Sequence, residues 1–165
     1  YTSDAKMIFR KYISSKYGLD AKNDFYDSVA DICRTVDVFD LEMAAYFALE
    51  ENKTEDALRM YEYCVFESSG NRGNEISPKV SPEAAMNLAN LYYGLSLKDK
   101  ALDLYGKVAA SVMKPQLRSE AFYRIASIYF AFNEMQNALR SADYACSIYP
   151  ENAKAHLLKT TITNQ

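Results

Sequence analysis

Side chains that could support catalysis are scattered along this 165-residue chain. His156 is the only histidine, and no GxSxG, HExxH or GxxxxGK motif accompanies it. The paired carboxylates Glu50-Glu51 and Glu55-Asp56 flank a predicted turn, where acidic side chains ordinarily face solvent. His156 falls at a helical position that we expect to pack rather than to react. The sequence therefore predicts no active site, cofactor or metal in this segment.

The cysteines are too widely spaced for a CxxC metal or redox motif. Cys33, Cys64 and Cys146 each fall on a predicted helix. Cys64 and Cys146 lie on or beside positions where small residues pack, so we expect buried free thiols. Free thiols are typical of a reducing compartment such as the cytoplasm, and the cysteines favour that location.

The distribution of charge argues against a nucleic-acid partner. The net charge is -3, with 10 Lys and Arg against 15 Asp and Glu in residues 1–81 and 9 against 7 in residues 82–165. Neither half offers the dense basic surface that phosphate binding requires. Residues 37–67 hold nine acids and two bases. These acids either solvate one face of the molecule or form a docking surface for a basic partner.

Residues 119–150 are predicted to form two amphipathic helices, which must position any functional side chains of this segment. Apolar residues recur at helical spacing on the first helix, at Phe122, Ile125, Ala126 and Tyr129. The same spacing continues on the second helix, at Ala138, Leu139, Ala142, Ala145 and Ile148. Because the connection over residues 133–136 is short, the two helices must form an antiparallel hairpin. Small residues let the backbones approach, and Pro150 ends the second helix.

The same pattern occurs twice upstream. Residues 82–113 carry it at Ala85, Leu88, Ala89, Tyr92, Ala101, Tyr105 and Val108. Residues 38–69 carry a weaker copy at Leu41, Ala44, Ala45, Ala48, Ala57, Tyr61 and Cys64. The spacing from Tyr92 to Ala101 equals that from Tyr129 to Ala138, which predicts that the two hairpins share one turn geometry.

These segments resemble the tetratricopeptide repeat (TPR) family, whose unit is a helical hairpin of about 34 residues. The resemblance implies an all-α fold, an α-solenoid of stacked antiparallel helix pairs with about eight or nine helices. We assign TPR-like repeats to residues 38–69 (degenerate), 82–115 and 119–150, an exposed polar loop to residues 70–81, and the first helix of a further repeat or a capping helix to residues 151–165. Residues 1–37 are N-terminal helices, predicted over 1–17 and 25–36. They are either a degenerate or truncated repeat or helices outside the repeats, since the first could be the second helix of a preceding unit and the second shows no repeat signature.

The resemblance also implies where a partner binds. In TPR arrays the first helix of each hairpin lines a concave groove that takes a peptide or helix. The groove positions carried over to this chain are Glu42, Tyr46, Leu49, Met86, Asn90, Tyr93, Tyr123, Ser127 and Phe130. The aromatic side chains would contact apolar anchors, and Asn90 and Ser127 would bind peptide backbone. For Tyr93 and Phe130 the alternative is packing against the neighbouring repeat.

One subfamily of TPR domains clamps the C-terminal carboxylate of a chaperone with lysines and asparagines. With the repeats aligned at 38, 82 and 119, both lysine positions hold glutamates, Glu42 and Glu120. Acidic groups there would repel a carboxylate, so we do not expect a chaperone-tail receptor.

Three functions remain open. The first is a non-catalytic protein-protein interaction scaffold within a larger protein or assembly. The second is homo-oligomerisation through the C-terminal helix, where we expect Ala155, Leu158 and Ile162 to leave apolar surface uncovered. The third is an accessory or regulatory domain of an enzyme whose active site lies outside this segment. We expect no membrane insertion, because no apolar run approaches the ~20 residues that a span needs. A chain that begins without Met and stops one helix into a repeat is expected to be part of a longer protein.

Overall fold

A computed structural model describes residues 3–19, 29–67, 75–111 and 114–165. These residues form nine α-helices and one π-helix, with no strand among them. The α-helices are α1 (Ser3–Tyr17), α2 (Val29–Thr35), α3 (Val38–Glu50), α4 (Thr54–Glu62), α5 (Pro82–Gly94), α6 (Lys98–Ser111), α7 (Pro115–Ala131), α8 (Met135–Ile148) and α9 (Ala153–Thr163), and the π-helix (Tyr63–Glu67) continues α4. The predicted all-α fold is confirmed. Of the helix predicted over 25–36, residues 29–35 form α2, and residues 25–28 lie outside the described part of the chain.

The chain divides into two compact units, a first unit of residues 1–84 and a second unit of residues 85–165. In the first unit α3 packs against α4, α2 packs against α4, and α1 lies on α3. In the second unit α7 contacts α6, α8 and α9, and α8 also contacts α9. Most of α5 belongs to the second unit.

The predicted apolar stripes form the cores of both units. Every stripe residue predicted in 38–69 and in 82–113 is buried. In the last hairpin, Ala126, Ala138 and Ala142 form one buried cluster with Ile162 of α9. Small side chains at these positions let three helices approach closely, which is the packing expected of stacked helix pairs.

The three turns that join α3 to α4, α5 to α6 and α7 to α8 share one geometry. In each turn two backbone N–H groups donate to carbonyls of the preceding helix. One donates to the residue five positions earlier, from Lys53 to Ala48, from Leu97 to Tyr92 and from Glu134 to Tyr129. The other donates to the residue three positions earlier, from Asn52 to Leu49, from Ser96 to Tyr93 and from Asn133 to Phe130. The residues Asn52, Ser96 and Asn133 all have φ 61. This pattern is the Schellman motif, with a left-handed residue just after the helix. Tyr92 and Tyr129 therefore occupy equivalent places, as predicted, and Ala48 takes the same place in the first unit.

Two predicted boundaries are wrong. The second repeat is predicted to end at residue 115 and the third to begin at residue 119, but Pro115 begins α7. Proline is favoured in the first helical turn because its missing N–H would have no intrahelical partner there.

The segment predicted as an exposed loop, residues 70–81, is not exposed throughout. Residues 70–74 lie outside the described part of the chain, whereas Ser77 and Val80 are buried. The backbone N–H of Ser77 donates to the carbonyl of Val65 at 2.7 Å. Because carbonyls in the last turn of a helix lack intrahelical partners, the π-helix end binds this segment and draws it inward.

Candidate functional site

On α3, the predicted groove residues Glu42, Tyr46 and Leu49 are half-buried. The Glu42 carboxylate accepts hydrogen bonds from the backbone N–H and the hydroxyl of Ser81, both at 2.7 Å. The Ser81 Oγ accepts in turn from the N–H of Ala84 at 3.1 Å, in the first turn of α5. Glu42 therefore supports a helix start within the first unit, a role that the repeat alignment did not predict.

On α5, one predicted groove residue is buried and two are exposed. Met86 is only 4% exposed, so we leave it out of the candidate contact surface. Tyr93 is 36% exposed, and Asn90 is exposed. The Asn90 Oδ1 accepts a hydrogen bond from the hydroxyl of Tyr105 on α6, and no partner of its amide nitrogen is found among the described residues.

Tyr105 is the buried support of Asn90. Its side chain is fully buried, and burial raises the pKa of the phenol to about 12. The hydroxyl consequently remains protonated at neutral pH and donates to the amide oxygen. This bond fixes the Asn90 side chain with its nitrogen as the remaining donor, a geometry suited to a peptide carbonyl.

On α7, the predicted groove residues are partly used by the fold. Tyr123 is half-buried and packs on the cluster of Ala145, Cys146 and Ala155. The Ser127 hydroxyl donates to the carbonyl of Tyr123 at 2.9 Å, so its proton is engaged within the helix. Phe130 packs against the cluster that contains Ile162 of α9. Phe130 is half-buried there, which is in line with its alternative role in packing.

Four residues of α7 and α9 are outside the nine groove positions that were carried over: Glu120, which the chaperone alignment placed at a lysine position, and Arg124, Lys154 and Leu157. The Arg124 Nε lies 3.2 Å from Glu120 Oε1, and its guanidinium lies 5.7 Å from the centre of the Tyr123 ring. The Lys154 Nζ lies 4.0 Å from the same Glu120 oxygen and connects α9 to α7. Leu157 on α9 is 70% exposed. The signal for Leu157 was in the sequence, because it follows Tyr123 by one repeat length, but the groove positions were carried over only for α3, α5 and α7.

The C-terminal helix does not leave its predicted apolar stripe uncovered. Ala155 and Ile162 are buried, and Leu158 packs against the cluster that contains Ile162. The residues that these three side chains contact lie on α7 and α8. The expectation of an open apolar stripe at these residues is wrong, because α9 turns this stripe inward onto the last hairpin.

The residues considered for chemistry are His156 and the three cysteines. His156 is exposed rather than packed as predicted, and its Nε2 lies 2.8 Å from the carbonyl oxygen of Pro150. Cys33, Cys64 and Cys146 are free and buried as predicted, and burial raises the pKa of the Cys33 thiol to about 11 and that of Cys64 as well. Within the described ranges, no group of His, Cys, Asp and Glu residues is arranged to hold a metal ion.

The fold belongs to the TPR-like class of stacked helix pairs. Among solved structures, a crystal structure of MamA matches with a TM-score of 0.66 at 14% identity, over 99% of this chain and 85% of that one. A second MamA structure matches with a TM-score of 0.66 at 17% identity, over 98% and 80%. A chain of the CopN-Scc3 complex matches with a TM-score of 0.55 at 17% identity, over 99% and 86%. At such identities the similarity establishes the fold alone.

No protein-family model matches the sequence. No curated protein matches it either. None of the described helices is both long and apolar enough to cross a bilayer.

Proposed function

We propose that this chain is a non-catalytic protein-interaction scaffold of the TPR type, whose second unit binds a peptide or helix of another protein along α5, α7 and α9. The observation that supports the proposal most directly is a set of solvent-accessible side chains on these three helices: Asn90, Tyr93, Tyr123, Arg124 and Leu157. Aromatic and aliphatic anchors beside fixed polar groups are typical of surfaces that bind peptides.

Each group has a distinct role in the proposed contact. Tyr93 and Leu157 supply apolar surface that a partner side chain would cover. Asn90, held by Tyr105, donates to a backbone carbonyl of the partner. The Arg124 guanidinium lies beside the ring of Tyr123 and is paired with Glu120. It offers a partner a cation whose charge is partly neutralised, next to an aromatic ring.

The similar structures are in line with a protein partner. One of them is a complex of two named proteins, CopN and Scc3. The predicted groove residues of the first unit, Glu42, Tyr46 and Leu49, remain a prediction for an additional contact there.

A matched pair of tyrosines tests the proposal. Tyr93 on α5 and Tyr144 on α8 are both exposed, at 36% and 52%. A photo-crosslinking amino acid placed at position 93 should capture a protein partner from an extract of the source organism, and the same probe at position 144 should not.

The affinities of substituted chains for the captured partner then show which residues form the contact surface. For the captured partner, Tyr93→Ala and Leu157→Ala should each weaken binding by about tenfold, the loss expected when an apolar anchor is truncated. Tyr144→Ala should leave the affinity unchanged. If the Tyr93→Ala and Leu157→Ala variants both bind with full affinity while the Tyr144→Ala variant does not bind, the contact surface lies elsewhere on the chain.

A further inference from the structure

A cavity of about 510 Å³ lies in the first unit, where the end of α2 and the start of α3 meet the π-helix. Its apolar lining consists of Cys33, Val36, Val38, Phe39 and Tyr63. Val36 is buried, whereas Phe39 is 73% exposed, so this lining runs from the core to the surface. An apolar side chain that entered the cavity would be covered on the inside and would also cover Phe39.

The fold itself leaves Phe39 uncovered. The buried stripe of α3 begins at Asp40 and Leu41, and Phe39 lies outside it in the first turn of the helix. Tyr63 is the first residue of the π-helix and is half-buried. Because π-helical turns are rare and occur frequently at functional sites, the position of Tyr63 beside the cavity supports a role in binding.

The cavity also contains two cations without a partner. Arg34 and Lys79 line it, and neither forms an ion pair within the described ranges. Among the described lining residues the one carboxylate is Asp37, whose Oδ2 accepts from Lys16 Nζ at 3.0 Å and from the hydroxyl of Tyr17 at 2.8 Å. Its Oδ1 accepts from a backbone N–H in the first turn of α3 at 3.1 Å. The charge of Asp37 is thus compensated within the fold, and the cavity retains an excess of positive charge.

The acidic residues elsewhere in the first unit do not cancel this excess. An adjoining cavity of about 340 Å³ contains Arg34 and Arg59 together with Glu62 and Glu67, so its own charges balance. The first unit as a whole is acidic, but charges in solvent are screened over about 8 Å at physiological ionic strength. A ligand inside the larger cavity therefore interacts mainly with the groups that line it.

The shape of the cavity favours a peptide over a small molecule. Small-molecule sites normally bury about 70–90% of the ligand surface, whereas this cavity is open to solvent. An extended segment would place one side chain in the cavity and continue across its rim. Carboxylates on such a segment would form charge-assisted hydrogen bonds with the guanidinium and the ammonium group.

We propose that this cavity binds an acidic segment of a partner protein. An aromatic or aliphatic side chain of the segment packs against Phe39 and Tyr63, and its carboxylates pair with Arg34 and Lys79. The site lies in the first unit and does not rest on the function proposed for the second unit.

Three capped tripeptides test the proposal by NMR titration of the isotope-labelled full chain. The acidic probe has phenylalanine between two glutamates, the basic probe has phenylalanine between two lysines, and the glycine probe has glycine between two glutamates. We expect the acidic probe to shift the amide signals of Arg34, Phe39, Tyr63 and Lys79 saturably. It should bind at least about tenfold more tightly than either other probe, since each of those lacks the charge or the apolar anchor.

Substitutions at exposed positions locate the site. Arg34→Gln and Phe39→Ala should each weaken binding of the acidic probe at least about tenfold. The matched controls Lys100→Gln and Phe132→Ala, at exposed residues of the second unit, should not. Circular dichroism checks that the variants are folded, and Lys79→Gln replaces any that is not.

Four outcomes would overturn the proposal. The first is the absence of a saturable shift with the acidic probe, and the second is unchanged binding by both Arg34→Gln and Phe39→Ala. The third is a basic probe that binds as tightly as the acidic one, which would favour a basic partner. The fourth is phenylpropionate binding more tightly than the acidic probe, which would make the cavity a site for a small anion. A Tyr93→Ala variant should bind the acidic probe normally, which separates this site from the surface in the second unit.

Discussion

Among single residues, Ser119 shows how a buried polar group joins three helices. Its hydroxyl is fully buried and donates to the carbonyl of Ala145 on α8 at 2.7 Å. The same oxygen accepts from Asn152 Nδ2 at 2.9 Å, and Asn152 Oδ1 caps α9 by accepting from the N–H of Ala155 at 3.1 Å. One serine on α7 thereby satisfies the end of α8 and the start of α9.

Ser119→Ala should destabilise the chain by about 1–3 kcal/mol, because it removes two hydrogen bonds, the one to the Ala145 carbonyl, which keeps the N–H of Tyr149, and the one from the Asn152 amide. Urea unfolding followed by circular dichroism measures this loss. Ser147→Ala on the exposed side of α8 is the control and should change stability by less than about 0.5 kcal/mol. A Ser119→Ala variant as stable as the wild type would show that these hydrogen bonds make no net contribution to the free energy of unfolding.

The cluster of Lys16, Asp37 and Asp40 makes stability depend on pH. Bonding to the backbone N–H of Asp40 holds the pKa of Asp37 below its ordinary value. Hydrogen bonding to Asp40 raises the pKa of Lys16. The contribution of the lowered acid is present above its unfolded pKa of about 3.9 and is lost as pH falls through the folded value. The contribution of the raised base is present below its unfolded pKa of about 10.4 and is lost only as pH rises through the higher folded value.

Asp37→Asn should therefore be less stable than the wild type at pH 7, with the difference shrinking towards zero as pH falls through the lowered pKa of Asp37. Asparagine also caps a helix start, so the substitution removes mainly the charge. Thermal unfolding at a series of pH values measures the difference. Glu75→Gln, at an exposed position, should show no such trend. A gap that is constant with pH would mean that the charge of Asp37 does not contribute.

Among the elements, the turn between paired helices is the unit that repeats most faithfully. It places a residue other than glycine in the left-handed region three times, at Asn52, Ser96 and Asn133. Asparagine tolerates this region because its short side chain bonds locally, whereas serine has less compensation for the crowding of its Cβ. The turn between α5 and α6 is therefore the most strained of the three.

Ser96→Gly should stabilise the chain by roughly 0.5–1 kcal/mol, since glycine adopts a positive φ without the steric cost. Asn133→Gly should give a smaller gain. Denaturant midpoints of the two variants measure the order. A loss of stability in Ser96→Gly would show that the greater entropy of glycine in the unfolded chain outweighs the relief of strain.

At the scale of the whole molecule, the two units differ in charge. Residues 1–84 carry 10 Lys and Arg against 16 Asp and Glu, and residues 85–165 carry 9 against 6, which gives -6 and +3. Within the second unit, each helix is stabilised by its immediate neighbours, as in other repeat proteins.

Removing residues 151–165 should destabilise the second unit by roughly 3–5 kcal/mol. The deletion uncovers the alanine stripe of α8 and removes the buried apolar side chains of α9, each worth about 1.5–3 kcal/mol when large. Chemical unfolding of the truncated chain gives the value. Removing residues 164–165 alone, which are exposed, should have no effect. Equal stability of the two truncations would mean that α9 does not complete the core.

Sequence patterns predicted the helices and the equivalence of their turns because both depend on local chemistry. A stripe such as Leu88, Ala89 and Tyr92 has to be buried somewhere, and a short connection forces its helix into a hairpin. The same reasoning predicted the groove positions less well. Met86 and Phe130 have the residue types of a contact surface, but the structure packs both against core residues or neighbouring helices.

The amino-acid sequence alone determined the all-helical class, the pairing of helices and the burial of the thiols, since helical periodicity and side-chain size act within one hairpin. Only the tertiary structure decided which faces stay open. It buried the stripe of α9, engaged Glu42 and Ser119 in helix ends, and left Met7 and Ile8 of α1 exposed. The physical reason is that a helix presents more than one apolar face, and whether a face is covered depends on neighbours that its own sequence does not encode.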